Sequence, residues 1–120
     1  MRLTFDLPEE RRTAAGGRVT IEVVLLAGMP VLRISHAPGW RWSLHSGPEA
    51  GGERCQAVHV GVMVAGEMAV EEANGEAYVL RAGDPVAIAP GHDAWTVGDE
   101  AAVLVQIDEG ESARRRFGLP

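Results

Sequence analysis

Lysine is absent from this 120-residue chain, and all 11 basic side chains are Arg. Chemistry that needs a lysine Schiff base is therefore closed to it. Cysteine occurs once, as Cys55, so no disulfide can form within the chain. A single thiol fits a protein of the reducing cytoplasm. The opening residues, MRLTFDLPEERR, carry no apolar run of the kind a secretion signal needs. The longest apolar stretch, VTIEVVLLAGMPVLRI, is interrupted by Glu22, Gly28 and Pro30, which argues against a membrane span. The formal net charge is -6, so the surface repels phosphate backbones and nucleic acid is not an expected partner. The sequence also lacks a Gly-rich phosphate loop, a Gly-x-Ser-x-Gly elbow and a His-Glu-x-x-His pair.

What is plentiful is Gly, with 15 residues, and Pro, with 7. So many corners in a chain long enough for one domain favour an all-β fold. Residues 1–6 alternate weakly and are read as an edge strand, followed by a polar, Gly-rich connection over 9–18. Strands are expected at 18–26 and 31–37, with AGMP turning the chain between them. PGWRWSLH (38–45) alternates Trp40, Trp42 and Leu44 against Arg41, Ser43 and His45, and 46–53 reads as a loop. The Val-rich segment 55–72 reads as strands bent at Gly66. Asn74-Gly75 is the strongest short hairpin signal and predicts a two-residue turn. Strands at 77–84, 85–89 and 101–108 complete the series. Eight to ten short strands of this kind predict a sandwich or a barrel. The domain proper is placed at 18–108, after an N-terminal strand and connection (1–17) and before a tail (109–120). Within that tail Arg114–Arg116 reads as a solvated basic run.

The stretch VMVAGEMAV followed by NGEAYVLRAGDPVAIAPG resembles the core of the cupin superfamily. PGWRWSLH, CQAVHVG and GHDAWTVGD extend the likeness to small single-domain bacterial cupins over roughly residues 18–108. The resemblance implies a double-stranded β-helix, a jelly-roll barrel with a ligand or metal pocket in one mouth. Many cupins hold a divalent metal with three His and one Glu. Two of those His and the Glu form a His-x-His-x3-Glu segment, and the third His follows the Pro-Gly corner. This chain departs from that pattern. Counted back from Gly66, the Glu position holds His59, and the two His positions hold Glu53 and Cys55. After the corner the His position holds Ala94, with His92 two residues earlier.

Glu53, Cys55 and His59 share strand parity and so one face. A straight strand would separate Cys55 from His59 by about 13 Å, too far to share one ion. A bend near Gln56–Ala57 would be needed to bring them together. If they converge with His92, and with His45 or Glu53, the S/N/O donor set suits Zn, Fe, Ni or Mn rather than Mg or Ca. The other reading keeps Cys55 as a small buried hydrophobe and His59 as a hydrogen-bonded interior histidine, with no metal. His92 is placed to ligate or to act as a base. Asp93 would face the other way and brace the corner through backbone N–H groups. Trp42 and Trp95 are candidate walls of a pocket, with Gln56 and Met63 as further lining; Trp40 reads as packing. Val62, Val64, Met68 and Met63 also suit the core.

Two functions remain open, and no catalytic residue is assigned. One is a metal-dependent enzyme acting on a small organic substrate with a rearranged ligand set. The other is a non-enzymatic cupin that binds or senses a small ligand. A homodimer is expected, from the habit of the family and from edge strands that need cover.

Overall fold

Residues 2–107, the part of the chain described by a computed structural model, form nine β-strands in two antiparallel sheets. The strands are β1 (Glu10–Ala14), β2 (Val19–Leu26), β3 (Met29–His36), β4 (His59–Ala65) and β5 (Glu67–Glu71). They continue with β6 (Ala77–Arg81), β7 (Pro85–Ile88), β8 (Asp93–Val97) and β9 (Ala102–Ile107). The larger sheet has the order β1-β2-β3-β9-β4-β7 and the smaller β6-β5-β8. Strand alternation points Val23, Leu32, Met63 and Leu104 of the large sheet and Met68 and Val70 of the small one into a shared core. This is the two-sheet jelly roll that the strand spacing predicts. Met1 and residues 108–120 lie outside the described residues, and with them the predicted tail and its Arg run.

The strand boundaries follow local chemistry. Gly66 separates β4 from β5 as expected. Its φ is +68°, and a Cβ there would sit 2.2 Å from the Ala101 carbonyl oxygen, so only glycine fits. Pro85 opens β7, an edge strand, where its missing N–H costs no ladder bond. Glu22, on the outer face of β2, is buried and held by Arg11 and Arg33, whose nitrogens each come within 2.8 Å.

Several expectations are corrected. The edge strand is not at 1–6 but at Glu10–Ala14, within the stretch read as a connection. Its polarity hid it: Glu10, Arg12 and Ala14 face inward while Arg11 and Thr13 are exposed, as suits a charged edge. Residues 42–46 are a π-helical turn rather than an extension of the Trp40–Trp42 alternation, and 47–50 form one short helical turn, α1 (Gly47–Ala50). Local hydrogen bonds explain this. The Trp40 indole N–H donates to Ser46 Oγ at 3.0 Å, and the Ser43 N–H to Asp93 Oδ1 at 3.0 Å. The Asn74-Gly75 connection has three residues, not two. Glu72 N–H donates to the Glu76 carbonyl, and Gly75 alone has a positive φ. Val62 and Val64 are exposed on the outer face, because alternation gives the inward positions of β4 to His59, Gly61 and Met63. Among the described residues no helix is long and apolar enough to cross a membrane.

Candidate functional site

Cys55, His59 and His92 converge. Each offers one donor atom, and the three atoms lie within 4.8 Å of one another. Cys55 is placed by backbone pairing with the far side of the Pro90-Gly91 corner. Its N–H donates to the His92 carbonyl at 2.8 Å, and Gly91 N–H donates to the Cys55 carbonyl at 2.7 Å. Residues 56–58 are not paired as strand, and β4 begins only at His59. That irregular stretch supplies the bend that a straight strand lacks, and Cys55 Sγ comes within 3.7 Å of His59 Nε2.

Both histidines are oriented through their other ring nitrogen. His59 Nδ1 lies 2.7 Å from Gln106 Oε1, and His92 Nδ1 lies 2.7 Å from the Ala89 carbonyl oxygen. An amide or carbonyl oxygen only accepts, so each Nδ1 carries the proton and donates. In the neutral ring each Nε2 then keeps its lone pair. The rings meet edge to face with centroids 5.0 Å apart. A histidine fixed in this way by an outer hydrogen bond is the usual arrangement of a metal-ligating one. Two ligands of one tetrahedral zinc, at ~2.0–2.3 Å from the ion, lie about 3.6 Å apart. The Cys55–His59 separation matches that spacing, so the donor set is compatible with a metal.

The cluster lines a cavity of about 300 Å³ that lies between the two sheets and opens to one side. Most of the wall is apolar, with Ile21, Ile34, Ile88 and Leu104 from the strands and Trp40 and Trp42 from the turn before α1. Four further polar residues reach it: Arg12, His36, Ser46 and Gln106. Arg12 is paired with Glu10. His36 donates from Nδ1 to the Ala102 carbonyl at 3.0 Å and tilts against Trp40 at 4.4 Å. Burial lowers its pKa to about 4, so it is neutral near pH 7.

The other predicted site residues lie elsewhere. His45 sits in the π-helical turn, where its Nδ1 accepts from Arg41 N–H at 3.0 Å. Glu53 is exposed, because 51–54 is a run of turns rather than strand, and the shared parity with Cys55 is lost. Gln56 is exposed beside the Arg54 carbonyl, and Met63 is fully buried in the core without lining the cavity. Trp95 belongs to the outer face of β8, beneath the Arg41 guanidinium at 4.4 Å from its ring centre. Asp93 is on that outer side too. It accepts from Ser43 Oγ at 2.8 Å, Arg41 Nε at 2.9 Å and Ala94 N–H at 2.9 Å. Burial alone would raise the Asp93 pKa, but the bonds from Ser43, Arg41 and Ala94 outweigh it and hold the carboxyl below its ordinary range. Gln106 and His36 were missed. The signal for both was present: each is a polar residue on a strand whose other inward residues are apolar.

No family model and no curated protein matches the sequence. Solved structures do match. One is described as a sugar phosphate isomerase of the cupin superfamily from Silicibacter pomeroyi, 20% identical, with a TM-score of 0.64 over 89% of this chain and 74% of that one. The cupin domain of Cnp3 from Schizosaccharomyces pombe aligns over 92% and 76%, at 9% identity and a TM-score of 0.57. A cupin-like protein from Thermotoga maritima aligns over 75% and 67%, at 19% identity and a TM-score of 0.52. The shared feature at these identities is the fold.

Proposed function

We infer that this cupin-fold chain binds a small, largely apolar organic molecule in its cavity, beside a first-row transition metal held by Cys55, His59 and His92. The observation that carries the reading is the convergence of one sulfur and two imidazoles whose Nε2 atoms are freed for ligation by Gln106 and Ala89. The mixed sulfur and nitrogen set suits zinc or another late first-row metal. Three protein ligands is also the number found at catalytic zinc sites. A metal there would supply Lewis acidity toward a polar group of the bound molecule. The chain's own residues would orient that molecule: Trp40 and Trp42 by flat apolar contact, and His36 by its fixed, neutral ring. A sugar phosphate fits poorly. Arg12 is the one arginine of the lining, and it is already paired with Glu10.

A second reading, a metal-free ligand-binding cupin, is favoured by the Cys55–His59 contact, since a thiol can donate to His59 Nε2 without any ion. Elemental analysis by mass spectrometry of the purified wild type, Cys55→Ser and His59→Ala separates the two. Near-stoichiometric metal in the wild type and its loss in folded variants support the first. No metal, and none taken up from zinc, iron, nickel or manganese, leaves the second.

A further inference from the structure

His36 and Gln106 are polar residues of the cavity wall, only 7% and 2% exposed, and each keeps one nitrogen that the fold does not use. His36 Nδ1 is engaged by the Ala102 carbonyl, and Gln106 Oε1 by His59. Among the described residues neither His36 Nε2 nor the amide nitrogen of Gln106 has a hydrogen-bond partner. Neither is sealed in the core, since among the described residues the one buried side-chain nitrogen or oxygen left unpaired is Glu10 Oε2. Both nitrogens therefore open on the cavity that their residues line. They are opposite in kind. His36 Nδ1 carries the ring proton, so Nε2 is an acceptor, whereas the Gln106 amide nitrogen is a donor. They also stand apart. His36 pairs with Ala102, four residues along β9 from Gln106, which is about 13 Å of strand at ~3.3 Å per residue. The paired Ile34 and Leu104 fill the sheet between them.

We propose that the molecule bound in the cavity is a neutral phenol, whose hydroxyl group donates to His36 Nε2 at the end of the inner face away from Gln106. This rests on the reading that the cavity takes a small organic molecule, and it names the class of that molecule. The free lone pair makes the selection. A carboxylate, phosphate, carbonyl or ether would bring only further acceptors against it. An ammonium could donate, but no carboxylate lines the cavity, so the charge would be buried unpaired. An amide would bring a carbonyl oxygen and a second N–H as well. The neighbouring donors are already committed, the Trp40 indole N–H to Ser46 and the Thr96 hydroxyl to the His36 carbonyl. A hydroxyl needs one acceptor and finds it. Trp40, tilted against the His36 ring, and Trp42 give the flat apolar contact that suits an aromatic ring behind the hydroxyl. A molecule without the donor leaves His36 Nε2 dry and unpaired, which is how a buried polar group discriminates.

The test compares p-cresol with 4-fluorotoluene, which has nearly the same shape and no donor. Binding of each to the full chain is followed by backbone amide shifts in NMR titrations. The expected result is that p-cresol binds at least about 10-fold more tightly. Its addition should also move the nitrogen resonance of His36 Nε2, which 4-fluorotoluene leaves in place. In His36→Phe, which keeps a ring against Trp40, the preference for p-cresol should disappear. The imidazole resonance needs no variant and decides the matter if His36→Phe misfolds. Treatment of the wild type with EDTA should leave the preference intact, since the hydroxyl is not held by a metal. A preference that survives His36→Phe and vanishes with EDTA places the hydroxyl at the Cys55, His59 and His92 cluster and overturns the proposal. Equal affinity for the two probes overturns it too, while the cavity reading stands. Binding of neither probe overturns both.

Discussion

The side-chain amide of Gln106 holds His59: its Oε1 lies 2.7 Å from His59 Nδ1, although 47 residues separate the two in sequence. β4 and β9 lie side by side, with Gly61 opposite Gln106, so the amide and the imidazole meet on the inner face. Gly61 allows this approach, since a Cβ there would lie 2.0 Å from the Val105 carbonyl oxygen. The bond directs the lone pair of His59 Nε2 toward Cys55.

Removing this outer bond should therefore act on the cluster without touching it. Gln106→Leu is expected to weaken zinc affinity about 10–100-fold in a chelator competition titration. Gln106→Glu, which restores a stronger acceptor, should recover or exceed the wild-type affinity. If Gln106→Leu binds zinc as tightly as the wild type, His59 is not a ligand that Gln106 orients.

His36 should make stability depend on pH. Its ordinary pKa of 6.5 falls to about 4 in the folded protein, because burial disfavours the charged ring. The unfolded chain therefore binds the proton first as pH falls. The stabilisation is fully present above pH 6.5 and is lost as pH drops to about 4. A shift of this size is worth up to about 3 kcal/mol. Urea unfolding at a series of pH values should show a shallower decline for His36→Gln than for the wild type. Equal slopes would remove His36 as the cause.

Asp93 ties the π-helical turn to β8 through Ser43 and Arg41. Asp93→Ala removes a buried acceptor from the half-buried Ser43 and Arg41 and from the buried Ala94 N–H, and should cost about 1–3 kcal/mol in denaturant unfolding. The same carboxylate is held below its ordinary 3.8, so its contribution is present above that pH and is lost as pH falls through the lower folded value. A cost below about 0.5 kcal/mol for Asp93→Ala would mean the turn stands without it.

Ala27 and Gly28 join β2 to β3 with φ values of +50° and +80°. Ala is ill suited to the first position of such a turn. Ala27→Asn should raise stability by about 1 kcal/mol, read as a higher unfolding midpoint at an unchanged m-value. At the other hairpin, Gly75→Val should lower stability by about 1 kcal/mol or more, since only Gly75 adopts a positive φ there. No change in either variant would contradict the turn conformations.

Much of the fold was legible because its determinants are local. Alternating Val and Ile mark β2, β3 and β9, and the glycine at 66 marks the break between β4 and β5. β1 was illegible because an edge strand carries charge, and the Trp40–Trp42 segment misled because side-chain bonds to Asp93 and Ser46 override its alternation. Parity correctly set His92 and Asp93 on opposite sides of β8. It failed for Glu53, whose segment is not strand. It also sets Trp95 on the outer side with Asp93, as observed, against the expectation, drawn from nearness to the corner, that Trp95 walls the pocket.

The sequence by itself determined an all-β chain, its main turns and the short list from which a site could be built. Local propensity and period-two patterning suffice for that, because each acts over a few residues. The tertiary structure alone decided that Cys55, His59 and His92 meet while His45 and Glu53 do not. It also decided that Gln106 and Ala89 orient the two rings. Those contacts depend on the Cys55–His92 bridge and on the β4–β9 register, which join segments tens of residues apart. Registers of that kind are set by how two sheets close over one core, and no local pattern encodes them.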